Sequence, residues 1–295
     1  MTVEILDRRI RLAEAAERYY VDGWSQDEVA AHLGTSRSNV SRLLEAARAE
    51  GIVRFVIDHP LRRVSGLEAE IAARAAHLEV RVIDDPTLDM IGRAGAAWLH
   101  EHLDGADRIA IGWGRTVAAV IDHVSTATDR GVEIVQVGGD LSMAPAPSGH
   151  ELVRQLAAAV GGTYRFLHAP ALVEDRATAA RLRADSRIAA ELDRARESAI
   201  AIVGIGIPPA DDPTAAAVIT ARLINDAGRE LGGAARDRVI AIELEDLVRI
   251  PTVLGIAVGA PKGRAVAAAV LTGALDTLIC DRAAATAAIE HWSNA

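Results

Sequence analysis

The stretch Gln26-Asp-Glu-Val-Ala-Ala-His-Leu-Gly-Thr-Ser-Arg-Ser-Asn-Val-Ser-Arg42 reads as two short helices around a tight turn, with small residues where the helices must touch. The pattern is that of a helix-turn-helix. Ala30 has too little side chain to hold the helices apart, Gly34 can take the positive φ of the turn, and Val40 plugs the apolar angle between them. Val29, Leu33 and Leu43 are expected to face the same core. Thr35 or Ser36 can cap the second helix by accepting a hydrogen bond from a free backbone amide, which leaves its first turn free to enter a major groove. The surface so presented is Ser36, Arg37, Ser38, Asn39, Ser41 and Arg42. An ordinary helical hairpin is the competing reading, because small residues and capping hydroxyls occur in many αα turns. Against it, no acidic residue falls between Leu33 and Leu44, whereas Arg37 and Arg42 do. A helix meant only for solvent usually mixes signs, so this run suits a polyanion, and double-stranded DNA is the expected partner.

At 295 residues the chain is too long for a lone DNA-reading module and comfortable for a small head and a large body. Half the residues are apolar but only 3% are aromatic, so the core must be built mainly from Ala, Val, Leu and Ile. No apolar run reaches transmembrane length, and Met1-Thr-Val-Glu-Ile5 lacks the basic start of a secretory signal, so a cytoplasmic protein without membrane contact is expected. The single cysteine, Cys280, excludes an internal disulfide and a Cys-rich zinc site, and its place in Thr277-Leu-Ile-Cys280 suggests a buried strand position. The net charge of −9 resides in the body: residues 1 to 63 hold ten Arg and ten Asp or Glu, leaving 22 basic against 31 acidic residues beyond. Residues 36 to 63 carry six Arg against Glu45, Glu50 and Asp58, so positive charge is concentrated at the second helix and the segment after it.

Ile5 to Val21 has helical spacing of its apolar residues, and Ser25 with Glu28 makes a capping box for the next helix. Gly51 is a natural stop, after which Ile52 to Ile57 reads as a strand, suited to a wing, whose Arg54 is a phosphate contact or a plain surface residue. His59-Pro60 closes the head and Leu61-Arg-Arg-Val64 is the expected linker. Ser65 with Glu68 forms a second capping-box pattern, and Leu67, Ile71, Ala75 and Leu78 make an apolar stripe suited to connecting or dimerising subunits. Strands are then expected at Val80 to Ile83, Ile109 to Trp113, Ile134 to Val137, Tyr164 to Leu167, Ala199 to Ile205, Val239 to Ile242, Val253 to Val258 and Leu278 to Cys280. Their alternation with helices implies an α/β body with a mostly parallel sheet covered on both faces.

Ligands of such sheets bind beyond the carboxyl ends of the strands. Ile111-Gly-Trp-Gly-Arg-Thr116 follows a strand and opens a helix, and its glycines, free helix amides and Thr116 hydroxyl suit a phosphate or sugar oxygen. A short glycine turn is also common without any ligand. Gln136-Val-Gly-Gly139 and Gly204-Ile-Gly206 are weaker examples. Lys262 is the only lysine, placed after a strand at the start of a helix, where an anion is favoured and a cation is not. It reads equally as a phosphate contact or an exposed loop residue. Asp281 either accepts from sugar hydroxyls or caps the following helix. Nine histidines are present, none in metal-ligand spacing; His123 and His168 are expected to be structural or exposed, and no catalytic set, metal site or cofactor is expected.

The head, followed in order by Gly112-Trp-Gly-Arg-Thr116, Ile134-Val-Gln-Val-Gly-Gly139, His168-Ala-Pro-Ala-Leu172, Val203-Gly-Ile-Gly206, Asp237-Arg-Val-Ile-Ala-Ile242, Leu244-Glu-Asp-Leu247 and Leu278-Ile-Cys-Asp281, resembles the SorC family of sugar-responsive bacterial transcription regulators. The resemblance covers nearly the whole chain and rests on the order and spacing of the motifs together. It implies a helix-turn-helix DNA-binding domain at 1–60 and, at 61–295, an effector-binding and oligomerisation domain similar to sugar-phosphate isomerase and deaminase folds. A sugar or sugar-phosphate effector would alter how a dimer or tetramer holds a palindromic operator. By position, Gly112, Trp113, Gly114, Arg115 and Thr116 would form the effector loop, with Gln136, Gly138 and Gly139 beside it, Lys262 on the phosphate and Asp281 ending the last strand. One stretch departs: where the family usually has Gly-Ala-Val-Gly-Asp before Arg-Phe-Phe-Asp, this chain has Ala216-Ala-Val-Ile-Thr220 and Ala221-Arg-Leu-Ile-Asn225. A carboxylate expected near the sugar hydroxyls is missing or replaced, which leaves two readings: an unusual effector, or contact from Asn225 or Asp226 instead. A sugar-phosphate isomerase-like enzyme on a DNA-binding head is the alternative, because fold does not decide function.

Overall fold

The computed structural model describes residues 3–53, 62–84, 87–125, 131–141, 147–210 and 212–294, the first four of them as backbone only. The chain forms two compact units, Met1–His59 and Pro60–Ala295. In the first, α1 (Val3–Ala16) runs into a wider π-type turn at Glu17–Val21, followed by α2 (Gln26–His32) and α3 (Arg37–Ala49). Leu12, Ala15 and Ala16 of α1 meet Val29, Ala30, Val40, Leu44 and Ala47 in a small core, with Leu33 and Leu43 partly buried at its rim. Ile52 and Val53 pack partly against it. The rest of the expected wing, Arg54 to Ile57, and the linker residues as far as Leu61 lie outside the described residues.

The second unit begins with α4 (Ser65–Ala72) and β1 (Glu79–Ile83), then α5 (Leu88–His102), β2 (Arg108–Ile111), α6 (Arg115–Asp122), β3 (Glu133–Gln136), α7 (Gly149–Val160) and β4 (Thr163–Tyr164). It continues with α8 (Arg176–Ala184), α9 (Ser186–Arg196), β5 (Ile200–Gly204), a hairpin of β6 (Ala217–Ile219) and β7 (Arg222–Ile224), and two short helices, α10 (Ala234–Asp237) and α11 (Leu244–Leu247). β8 (Thr252–Ala257), α12 (Gly263–Val270), β9 (Thr277–Asp281) and α13 (Arg282–Asn294) complete it. Seven strands make one sheet in the order β1-β9-β8-β5-β2-β3-β4, and every pairing in it is parallel.

Alternation along the strands assigns the two faces. Ile109, Ile111, Ile134, Ile200, Ile202, Ile256 and Ile279 line one core with α5, α6 and α7. Ala110, Val135, Ala201, Val203, Val253, Leu278 and Cys280 line the other with α12 and α13. Smaller residues on that second face let the helices approach closely, as a core with so few aromatics requires. Cys280 is fully buried, and burial pushes its thiol up out of the range where a thiolate is accessible.

Several expectations are corrected. Val239 to Ile242 is not a sheet strand: it makes isolated antiparallel bridges, Gly138 to Ala241 and Leu172 to Val239, and covers the end of β3. β4 ends at Tyr164 rather than continuing to Leu167. The Ser65–Glu68 capping box does not form; Glu68 instead accepts from Arg63 Nε at 2.6 Å and from the Val82 amide at 2.9 Å. The stripe of Leu67, Ile71, Ala75 and Leu78 packs into the body's own core, so it is not a free connecting face.

Candidate functional site

In the head, Ser25 and Glu28 exchange backbone and side-chain hydrogen bonds at the start of α2, and the bond from the Ser25 amide holds the Glu28 carboxyl below its usual range. α2 stops where Gly34 takes φ 59°, and the Thr35 amide folds back onto the Ala30 carbonyl at 2.9 Å. Ser36 is the cap of α3, accepting from the Asn39 amide at 3.3 Å, while Thr35 accepts from the Asn39 side chain at 2.8 Å. α1 braces this turn through Arg11 to the Leu33 carbonyl and Glu14 to His32. Ser36, Arg37, Ser38, Ser41 and Arg42 are exposed along one side of α3, and Asn39 is half-buried because it is tied to Thr35. Arg37 has a carboxylate neighbour that lies outside the acid-free run: Asp27 of α2, 3.8 Å away, with both side chains about 70% exposed. A pair that open to water contributes little and yields readily to a phosphate.

In the body, β2 and β5 are neighbours from which the chain builds in opposite directions, to β3 and β4 on one side and to β8 and β9 on the other. Their carboxyl ends therefore flank the crevice where ligands of open α/β sheets bind. From β2 leave Gly112, Trp113, Gly114, Arg115 and Thr116. The Gly112 amide bonds to the Ile202 carbonyl at 2.8 Å, joining the two strand exits. Gly114, at φ 115°, starts α6 with no side-chain cap, which leaves the positive end of that helix open. Thr116 is buried, and its hydroxyl stands 3.1 Å from where a Cβ on Gly204 would lie, so the β2 and β5 glycine loops are in contact.

Lys262 enters the same crevice from the end of β8. Its ammonium donates to the Ile205 carbonyl, in the loop leaving β5. Burial, and after it the Arg115 guanidinium, lower its pKa below the ordinary lysine value. Arg115, exposed at the start of α6, is near enough to act on Lys262 electrostatically, and no ion pair with a carboxylate is seen for either among the described residues.

The remaining expected residues have structural partners. Gln136 is buried, accepts from the Leu167 amide at 2.9 Å, and braces the chain after β4. A Cβ on Gly138 would meet Ala241 at 2.5 Å and one on Gly139 the Ala169 and Pro170 backbone at 2.5 Å, so close chain packing accounts for both glycines. Asp281 is 1% exposed; one carboxylate oxygen accepts from the Gly259 and Ala284 amides, capping α13 and tethering the loop that carries Lys262, while the other is buried without a partner. Neither expected substitute for the missing carboxylate is free. Asn225 holds a turn through the Ala227 and Arg229 amides, and Asp226 is paired with Arg264 at 2.6 Å and His291 at 3.1 Å. His123 is bound to Asp89 at 2.8 Å. The hairpin of β6 and β7 went unrecognised in the sequence, which has no turn residue at Thr220-Ala221.

Residues 60–217 and 207–290 match the family described as "Putative sugar-binding domain". The chain belongs to that family. It is 25% identical over 300 residues to the deoxyribonucleoside regulator of Bacillus subtilis, covering 94% of this chain and 96% of that one. It is 27% identical over 308 residues to the transcriptional regulator LsrR of an Enterobacter species, covering 94% and 92%. Among solved structures, the full-length sorbitol operon regulator SorC of Klebsiella pneumoniae superposes with a TM-score of 0.71 at 22% identity, covering 96% of this chain and 99% of that chain. The resemblance to SorC-type regulators is thereby shown, and these relatives are named as regulators rather than enzymes. Among the described residues, no helix is long and apolar enough to cross a membrane.

Proposed function

We propose that the chain is a DNA-binding transcriptional regulator whose hold on its operator is modulated by a phosphorylated sugar bound at the β2–β5 crevice. The single observation that carries the effector half is the Lys262 ammonium, most of it withdrawn from water and held on the Ile205 carbonyl beyond β5, in a crevice that the uncapped start of α6 also borders. Fixed cations and helix amides around a small crevice favour a phosphate ester, with Thr116 and the glycine backbones admitting it closely. The helix-turn-helix geometry at Gly34 and Ser36, with Arg37 and Arg42 on the outer side of α3, supports major-groove docking of the head.

In this reading the protein assembles as a dimer or tetramer in the cytoplasm, two or more recognition helices engage a palindromic site, and effector binding shifts subunit packing. Thermal unfolding of the purified protein with free and phosphorylated sugars tests it. A phosphate ester at 100 times its dissociation constant should add about 2.7 kcal/mol to stability, a shift of several degrees, and Lys262→Ala should abolish that shift. Stabilisation that persists in Lys262→Ala would remove the site as assigned.

A further inference from the structure

We propose that the outer face of α1 is the surface on which the head meets the head of a second copy of this chain, the two α1 helices lying parallel about a two-fold axis. This deepens the DNA-binding reading above, and rests on it, by naming the contact that sets two recognition helices on one palindromic site. Val3, Leu6, Ile10, Ala13, Glu17 and Tyr20 follow one another at alternating spacings of three and four residues, the a and d positions of a heptad. The head builds its own core on the other side of the helix. Leu12 and Ala15, the most buried members of α1, fall at the c and f positions, opposite that seam. Ile10 is 55% exposed, and Ala13 is exposed beside it. A helix that fills one face and leaves a second apolar face in water is built to pack on two sides.

The wide turn at Glu17–Val21 extends the outer face. Its extra residue shifts the register by one, so that Val21, 78% exposed, takes the outer position while Tyr20 turns inward and packs partly on the core. Charge selects the occupant and its direction. Arg9 stands at g and Glu14 at the following e, and in a parallel pair these two face one another across the seam, twice by symmetry. Arg9 is exposed with no carboxylate partner among the described residues, and Glu14 meets His32 through only its Oε1. An antiparallel pair would oppose like charges instead, arginine to arginine at g and Asp7 to Glu14 at e. The stripe and its flanking charges are therefore self-complementary in one orientation, which a second copy of the chain supplies.

Cross-linking of the full chain in the absence of DNA reads this contact. Cys280 is fully buried, so a cysteine placed in α1 is the accessible thiol. Facing a positions of a parallel pair bring their Cα atoms within disulfide reach, about 4.4–6.8 Å. With copper phenanthroline as oxidant, Ile10→Cys should give a covalent dimer, and Arg187→Cys, at a side chain 90% exposed on α9, should give none. Ile10→Glu sets like charges at the seam and should leave the fold intact by circular dichroism. It should weaken binding to the palindromic duplex that the protein selects from genomic DNA at least about tenfold, and leave binding to one half-site unchanged. No dimer from Ile10→Cys, an equal yield from Arg187→Cys, or wild-type affinity of Ile10→Glu for the palindrome overturns the proposal. An Ile10→Cys thiol that is shielded from a maleimide yet forms no dimer overturns it too, because something else then covers the face. Failure of wild type to bind any duplex overturns the DNA-binding reading and is a separate result.

Discussion

Lys262 and Arg115 leave the sheet on loops after different strands, β8 and β2, yet the guanidinium lies close enough to depress the ammonium's pKa further than burial alone does. The like charges disfavour one another in the free protein, and an anion held between them would offset that repulsion. A ligand that bridged the two loops would shift their arrangement only as far as its interaction free energy differs between the separated and the bridged forms.

The same pair sets a pH dependence. Burial and Arg115 favour the neutral amine of Lys262, whereas a bound phosphate favours the ammonium, so the lysine's pKa is higher in the complex than in the free protein. Affinity for phosphate, whose second pKa is about 6, should therefore be level just above neutrality. It should fall as pH rises through the lowered lysine pKa, at a pH below the ordinary 10.5. Titration calorimetry across that range checks this, with Lys262→Ala expected to show a weak, level profile.

The glycines separate by what surrounds them. A Cβ on Gly112 would lie 3.5 Å or more from its neighbours, an ordinary contact, whereas one on Gly139 would lie 2.5 Å from main-chain atoms of Ala169 and Pro170. Gly139→Ala should cost about 1–3 kcal/mol of stability through forced backbone movement. Gly112→Ala should cost less than about 1 kcal/mol and reduce effector binding instead. Urea unfolding of both variants distinguishes the two.

Arg222 has a fully buried side chain and holds Glu230 at 2.8 Å and Glu243 at 2.9 Å besides its two carbonyl acceptors. Arg222→Met would leave Glu230, 4% exposed in its side chain, without that partner and is expected to destabilise the body by about 3–5 kcal/mol. Arg222→Met combined with Glu230→Gln should recover part of that loss, which a double-mutant unfolding cycle measures.

On α3, Arg37→Ala or Arg42→Ala should weaken specific DNA binding by about 1–3 kcal/mol where the arginine reads a base. Asp27→Ala, which frees Arg37 from its 3.8 Å neighbour, should strengthen binding slightly and leave sequence preference unchanged. Fluorescence anisotropy on cognate and scrambled duplexes reads both effects.

The head's turn was legible because its determinants are local: Gly34 supplies the left-handed residue, Ser36 the cap, and Ala30 and Val40 the close contact. The parallel sheet was legible from alternating strand and helix patterns. The hairpin at Ala217 to Ile224 was not, because its turn is imposed from a distance by Arg222 and Gly206 rather than by turn residues. Val239 to Ile242 looked like a strand because four apolar residues in a row are buried equally well as a cover over β3. Gly138 and Gly139 suggested a ligand loop, and only the Ala241 and Pro170 contacts reveal their packing role. Lys262 stood out by being the sole lysine, but its convergence with Arg115 depends on the strand order.

In the proposed regulator, anion binding at Lys262 and Arg115 alters DNA binding by the head. The most direct measurement is anisotropy of the full chain on the duplex it enriches from genomic DNA, titrated with and without the sugar phosphate that most raises its Tm. The account predicts that the ester shifts the DNA dissociation constant by at least about fivefold in wild type and leaves Lys262→Ala, which still binds the duplex, unmoved. An equal shift in both proteins, or none in wild type despite bound ester, would contradict it.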